Sequence, residues 1–454
     1  MSRLIVVSNR VPDNDTPSGG LVVALHECLT SRGGEWIGSS DERVSQTSPT
    51  FKEIGEGPYR RLTFDLTEAE HQGFYLGYAN SVLWPLFHWR SDLIDLNDAD
   101  EALYRSVNQR VAQMLSERLQ PTDTLWVHDY HFLPLAHALR KHGVTNRIGF
   151  FLHIPFPRTQ DLMALPARED FSEWLAAFDL VGLQTERDVA ALLELFRSEE
   201  KAEFLRDGRI KFGPRRFGVA SFPIGIDVDE FERLAEVGDP VDLRLDPDER
   251  LVIGVDRLDY SKGLVNRFEA FGTYLDQHSA PHPPVTFLQV AQPSRGAIEA
   301  YQDIRAGLES TTGRINGTYG RLDWTPIRYL NQSVPREKLA GLFRRADVGL
   351  VTPFADGMNL VAKEYVAAQD PNDPGVLILS HFAGAAEQLD GALLVNPYDV
   401  GEMSGAIAQA LHMEIGERKA RHAQMIETLR RYDIDWWANA FLDRLTETPA
   451  QIAA

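Results

Sequence analysis

Short runs of Val, Ile, Leu and Phe, apolar at nearly every position rather than at alternate ones, recur along this chain with amphipathic stretches between them. A strand that is apolar on both faces must be covered on both, and helices packed on the two sides of a parallel sheet do this. The runs fall at 4–8, 126–128, 148–153, 180–183, 251–256, 285–290, 348–352, 376–380 and 393–396. Helical periodicity marks 101–119, 131–141, 264–277, 298–308, 337–345 and 360–368. The alternation predicts an α/β fold, doubly wound. Asp98 and Glu101 have capping-box spacing before the first helix, and Gly33-Gly34 and Gly143 stand where a left-handed residue ends one.

A length of 454 residues allows two or three domains, each with its own core. Residues 209–223 read as a ribbon of short strands, followed by Pro223-Ile224-Gly225-Ile226, a helix at 229–235 and the polar Asp246-Pro247-Asp248. A fresh βα series begins at Leu251. The expected domains are therefore 1–228 and 229–433, with 434–454, which carries Trp436-Trp437, packing back on the first.

Charge narrows the partners. With 46 basic and 66 acidic residues the formal charge is −20, which disfavours nucleic acid and anionic membranes. Nothing approaches the ~18 apolar residues of a membrane span, and the apolar start is too short for a signal peptide. Cys28 is the single cysteine, so neither an intrachain disulfide nor a thiolate metal cluster is available, which fits a reducing, cytoplasmic setting. Phosphorylated metabolites remain, provided that Arg and Lys gather locally against the overall field.

Such gatherings follow the predicted strands, at the edge where open α/β sheets bind ligands. Ser8-Asn9-Arg10 leads to Ser18-Gly19-Gly20 and a helix; the glycines make either a plain tight turn or an anion site at the helix N-terminus. Phe87 in Trp84-Pro85-Leu86-Phe87-His88 reads as core, whereas Trp84 and Tyr75 could form a sugar-stacking platform. His128-Asp129-Tyr130-His131 and His153-Ile154-Pro155 follow two strands; for a metal they lack a third defined ligand, leaving structural imidazoles or sugar-hydroxyl binders. In Arg257-Leu258-Asp259-Tyr260-Ser261-Lys262-Gly263, two fixed cations at a strand's end suit a pyrophosphate. Asp356-Gly357-Met358-Asn359-Leu360 brings a carboxylate and a helix N-terminus together, with Glu364 further along that helix; carboxylates bind pairs of sugar hydroxyls well. Ser380–Glu387 repeats the strand–Gly–helix theme. Asp98-Ala99-Asp100 and Asp227-Val228-Asp229, which could pass for metal-holding triplets, both start predicted helices and read as caps.

These blocks, together with Val82-Leu83-Trp84-Pro85, Pro293-Ser294-Arg295, Gly313-Arg314-Ile315-Asn316-Gly317 and Asn396-Pro397-Tyr398-Asp399, resemble the trehalose-6-phosphate synthase family from residue 2 to about 445, in the family's order. The resemblance implies a GT-B fold: two Rossmann-like domains facing a cleft, with a final helix crossing back to the first. It implies glucose transfer from UDP-glucose to glucose 6-phosphate, with retention, giving α,α-trehalose 6-phosphate. It implies no metal and no cofactor, and a homo-oligomer, dimer or tetramer. Matching positions assign Arg257 and Lys262 to the donor's pyrophosphate, Asp356 with Met358, Asn359 and Leu360 to its glucose, Glu364 to its ribose, and Gly20 to a loop closing over it. Arg10, Tyr75, Trp84 and Arg295 are assigned to the acceptor, and Asp129 and His153 to the reacting sugars. One departure stands out: Gly38-Ser39-Ser40 occupies the place of a tryptophan that often lines the family's acceptor pocket. That change keeps a related synthase with another acceptor as the nearest rival; a non-catalytic sugar-phosphate sensor is the rival of a different class.

Overall fold

The computed structural model describes residues 3–12, 20–166, 168–237, 243–278, 283–294 and 299–448. They form two compact units, Met1–Pro223 with Asp435–Ala454, and Ile224–Ile434.

In the first unit the strands are β1 (Leu4–Arg10), β2 (Glu35–Val44), β3 (Lys52–Glu53), β4 (Arg60–Thr67), β5 (Thr124–His128), β6 (Arg147–Phe151), β7 (Leu180–Leu183), β8 (Ala202–Phe204), β9 (Ile210–Phe212) and β10 (Arg215–Ser221). They make one sheet in the order β3-β4-β2-β1-β5-β6-β7-β10-β9-β8. From β4 to β10 all neighbours are parallel, with β3 antiparallel at one margin and β9 and β8 at the other. Ile5, Val6 and Val7, successive residues that point to opposite faces of the sheet, are all fully buried, as a strand apolar on both faces requires.

The second unit holds β11 (Arg250–Arg257), β12 (Val285–Gln292), β13 (Ile327–Leu330), β14 (Val348–Val351), β15 (Val376–Ser380) and β16 (Leu393–Val395). Its sheet is wholly parallel in the order β13-β12-β11-β14-β15-β16, the doubly wound Rossmann order. Phe268, Phe271, Phe287, Leu350, Ile378 and Ile407 belong to its core.

All of the apolar runs are strands, but β2, β4 and β13 were not legible as such. β2 (EWIGSSDERV) is buried only over its first half, and β4 opens on Arg60-Arg61. β13 is four residues with an arginine second. The helix expected at 101–119 is Asp98–Ser116. Its cap is Asn97, whose side chain accepts from the Ala99 N–H at 3.0 Å; this corrects the capping role given to Asp98, which lies in the first turn. Asp227 does cap Val228–Val237, accepting from the Glu230 N–H at 2.8 Å. Pro134 breaks the helix expected over 131–141 into a tight turn, Tyr130–Phe132, and a helix, Leu135–Lys141. The helix expected at 298–308 continues as Glu299–Tyr319. A wide-wound helix, His71–Leu83, was not anticipated; the Trp84 N–H bonds the carbonyl of Ala79 rather than of Asn80.

The last helix, Ile434–Glu447, completes the first unit's core with Trp437, Phe441 and Leu445, all fully buried. Phe441 lies over Gly149 of β6 and Gly182 of β7, where an added Cβ would come within 2.7 Å of its ring. No helix among the described residues is long and apolar enough to cross a membrane.

Candidate active site

In an open doubly wound sheet, the crevice forms at the carboxyl ends of the two strands where the order reverses. Those strands are β1 and β5 in the first unit, and β11 and β14 in the second.

Around the first switch point Ser8, Asn9, Arg10, Val22, Trp36, Asp129 and His131 line a cavity of about 170 Å3. The end of β1 is shaped by hydrogen bonds: Trp36 Nε1–H donates to Ser8 Oγ at 2.7 Å, and the Ser8 hydroxyl donates to the Arg10 carbonyl at 2.7 Å. Register slips between Val7 and Arg10, and Arg10 is exposed at the strand's end. Its guanidinium carbon lies 6.0 Å from the centroid of Tyr75. Tyr75 in turn stacks between His131, at 5.8 Å, and His71, at 5.3 Å. Trp84 is not among the residues lining this cavity; it is 3% exposed and packs on His88 at 4.0 Å and on Tyr130, the neighbour of Asp129, at 5.8 Å. Ser39 donates its hydroxyl to the Asn9 carbonyl at 2.6 Å.

Asp129 follows β5 with φ of 71°, a left-handed conformation that costs a non-glycine residue roughly 1–3 kcal/mol. Its N–H donates to the Phe151 carbonyl at 2.8 Å, and its carboxylate accepts from the His153 N–H at 3.3 Å. The loops after β5 and β6 are thereby tied together. His153 and the fully buried His128 share a hydrogen bond, Nδ1 of His128 to Nε2 of His153, at 3.0 Å. Burial pushes the His153 imidazole down to about 3 and His128 well below its ordinary range. Both are neutral near pH 7. His128, Asp129 and His131 do not bring three ligand atoms together for a metal.

At the second switch point, Arg257 is exposed at the end of β11, and Lys262 follows in a tight turn. Lys262 Nζ lies 2.5 Å from Asp356 Oδ2, and Asn359 Nδ2 donates to the same oxygen at 2.9 Å. The turn is held from inside by the buried Asp259, which accepts from the Ser261 N–H at 2.9 Å and the Tyr301 hydroxyl at 2.9 Å. Gly263 has φ of 64°, and a Cβ there would meet the Thr352 carbonyl at 2.7 Å. Asn359 caps the helix Leu360–Ala368 by accepting from the Ala362 N–H at 3.1 Å. The amides of Met358, Asn359 and Leu360 make no hydrogen bond to another described residue, so this N-terminus keeps donors for a ligand. The loop after β15 packs beneath: the Ala385 N–H donates to the Met358 carbonyl at 2.8 Å. Glu364, on the same helix, has a carboxyl raised by burial, partly offset by Arg336.

Of the residues singled out from sequence, Arg10, Tyr75, Asp129 and His153 cluster in the first unit, and Arg257, Lys262, Asp356, Met358, Asn359, Leu360 and Glu364 in the second. Gly20 opens the helix Gly20–Arg32, while Gly19 and Arg295 lie outside the described residues.

Two residues escaped sequence reasoning. Arg267 is fully buried and donates to Asp256 at 2.6 Å, Gln289 at 3.0 Å, Thr352 at 3.1 Å and the Lys262 carbonyl at 3.3 Å. It joins the carboxyl ends of β11 and β12 to the loops bearing Lys262 and Asp356. Its one signal was an arginine among Leu264, Phe268 and Phe271 on a helix's apolar face. Lys363 is likewise fully buried, donating to the Ile224 carbonyl and to Gln388, each at 2.6 Å, and burial pulls its amine down to about 7.

A larger cavity of about 1120 Å3 opens in the second unit near Pro284, Arg250, Asp347 and Gly375, at the amino ends of the strands. Its arginines pair with its own carboxylates, as in Arg418–Asp373 at 2.8 Å and Arg344–Asp370 at 3.7 Å, and it faces away from the clustered residues.

Comparison with known proteins supports the same reading of the fold. The model of glycosyltransferase family 20 matches residues 3–447. The trehalose-6-phosphate synthase of Klebsiella pneumoniae is 46% identical over 452 residues, covering 98% of this chain and 95% of its own. A crystal structure of an α,α-trehalose-phosphate synthase (UDP-forming) from Burkholderia xenovorans in complex with glucose-6-phosphate superposes with a TM-score of 0.94 at 46% identity, covering 98% of this chain and all of its own. An E. coli structure bound with UDP-2-fluoro glucose gives 0.93 at 43% identity, with 99% of this chain and 100% of that chain covered. The architecture is that of the GT-B glycosyltransferases. With a family match that runs almost end to end and relatives this similar along their whole length, the chain belongs to glycosyltransferase family 20.

Proposed function

We propose that this chain transfers glucose from UDP-glucose to the anomeric hydroxyl of glucose 6-phosphate, giving α,α-trehalose 6-phosphate and UDP with retention of configuration. The observation that carries the reading is the cluster of Lys262, Asp356 and Asn359 beside a helix N-terminus at the second switch point. A nucleoside diphosphate sugar needs these groups: a cation for the diphosphate, and a carboxylate and open amides for the sugar's hydroxyls.

In this reading Arg257 and Lys262 stabilise the charge that grows on the departing diphosphate. Asp356 holds glucose hydroxyls, with the backbone of Met358, Asn359 and Leu360, and Glu364 takes the ribose. Arg10, Tyr75, Trp84 and Arg295 bind the acceptor, and Asp129 and His153 orient the reacting sugars. The bond from the glucose C1 to the diphosphate oxygen breaks, the acceptor oxygen bonds to C1 on the same face, and the acceptor's proton passes to the departing phosphate oxygen. No protein nucleophile, metal or cofactor is required, so the paired-carboxylate scheme of retaining glycosidases is not imposed on Asp129 and Asp356. The enzyme works in the cytoplasm as a homo-oligomer.

The test is incubation with UDP-glucose and glucose 6-phosphate in EDTA, measuring UDP and the disaccharide phosphate. Turnover is expected, falling about 10²–10³-fold in Arg257→Ala or Lys262→Ala. Consumption of ADP- or GDP-glucose instead would replace the donor, and binding without turnover of any pair would overturn the reading.

A further inference from the structure

His128 and His153 stand out because one is wholly enclosed and each commits a nitrogen to the other. Two neutral imidazoles whose nitrogens lie 3.0 Å apart share a single proton in that bond. Only two arrangements exist. In the first, His153 carries its proton on Nε2 and donates it, so the proton of His128 must sit on its own Nε2. That nitrogen is buried and has no hydrogen-bond partner. A buried N–H without an acceptor is among the costliest orphans in a protein interior. In the second, Nδ1–H of His128 donates to Nε2 of His153. The buried Nε2 of His128 is then unprotonated, and no N–H is sealed inside without an acceptor. His153 is left with its proton on Nδ1, a nitrogen that makes no hydrogen bond to another described residue. His153 keeps part of its surface open where His128 keeps none, so this N–H is the less costly one to leave for a ligand or water. Burial, which keeps both rings neutral, supports the single-proton premise.

We propose that His128 is a positioning residue: by donating Nδ1–H to Nε2 of His153 it holds that ring in its Nδ1–H tautomer, so that His153 meets a bound sugar as a hydrogen-bond donor. The link to sugar rests on the function proposed above; the tautomer does not. Imidazole in water prefers the proton on Nε2, so an Nδ1–H ring needs a partner to hold it, and the fold supplies one from the adjacent strand, since His128 pairs with Phe151 in the β5–β6 register. The Asp129 carboxylate, which accepts from the His153 backbone N–H, fixes the same residue from the other side.

The experiment is a long-range 1H–15N correlation spectrum of the full chain labelled with 15N-histidine, without substrates, with His153→Gln assigning the signals. The expected pattern is a protonated Nδ1 and a bare Nε2 for His153. In His128→Phe, which keeps an aromatic ring but no donor, His153 should revert to Nε2–H and kcat/KM should fall roughly tenfold, the scale of one hydrogen bond. In His128→Asn, whose amide can donate from near the same place, the Nδ1–H pattern and most of the activity should return. A wild-type His153 protonated on Nε2, or a pattern unchanged in His128→Phe, would overturn the proposal even in an active enzyme. The expected spectrum in a protein that turns over no sugar nucleotide would support the tautomer and sink only the functional reading.

Discussion

Arg267 is the residue on which the second cluster turns, because one guanidinium satisfies four groups from separate segments. Its charge is balanced by Asp256, whose carboxyl burial pushes up while Arg267 and Lys262 pull it down. Removing one partner of such a buried pair strands the other. Arg267→Met should therefore lower the unfolding free energy by about 3–5 kcal/mol in a denaturant titration. The double variant Arg267→Met with Asp256→Asn should recover part of that loss, since no buried charge is left alone; a double variant as unstable as the sum of the singles would contradict this. Lys262 and Asp356 were legible in the chain because they follow apolar runs at the strand ends, in loops rich in glycine and charge. Arg267 was not, because its partners come from strands and loops remote in sequence.

At the scale of elements, the helix Leu360–Ala368 combines two demands. Its N-terminus is kept open, with Asn359 in a left-handed conformation (φ 75°) taking only the Ala362 amide. One turn on, Lys363 points an amine at the Ile224 carbonyl and Gln388, neutral acceptors both, so burial dominates and its pKa falls to about 7 from 10.5. The sign of the linkage follows. Between about 7 and 10.5 the unfolded chain keeps a proton on Lys363 that the folded chain has released. Stability from this group therefore rises with pH across that window and is fully present only above it. Compared with Lys363→Met, the wild-type protein should gain stability as pH is raised from 7 to 10, measured by denaturant midpoint; parallel profiles would refute the assignment. The helix itself was plain from periodicity, and its bounds match. That Lys363 faces inward while Glu364 beside it keeps some surface depends on where the helix docks, which periodicity does not encode.

For the whole molecule, the chain builds its first unit, leaves it at Pro223, builds the second, and returns at Asp435. The returning helix is part of the first unit's core: Phe441 stacks on Trp126 at 4.9 Å and 12°, and meets Phe222 edge-on at 5.3 Å. Phe441→Ala should cost about 3–5 kcal/mol, as large aromatic truncations in a core do. Limited proteolysis should show its effect first in fragments from Met1–Pro223. Equal sensitivity in Ile224–Ile434 would argue against that division.

By itself the sequence determined the class of fold, the positions of the apolar strands and the ends of strands where chemistry gathers, because apolar periodicity and turn residues act locally. The excess of acidic over basic residues and the single cysteine were also readable from the chain alone, whereas the burial that pushes the Cys28 thiol up to about 11 was not. Only the tertiary structure decided which polar side chains are sealed inside and with whom: Arg267 among four partners, His128 against His153, and two glycines beneath Phe441. Those outcomes depend on contacts between segments far apart in the chain, where the cost of burying a polar group or a Cβ is set by the neighbour it meets.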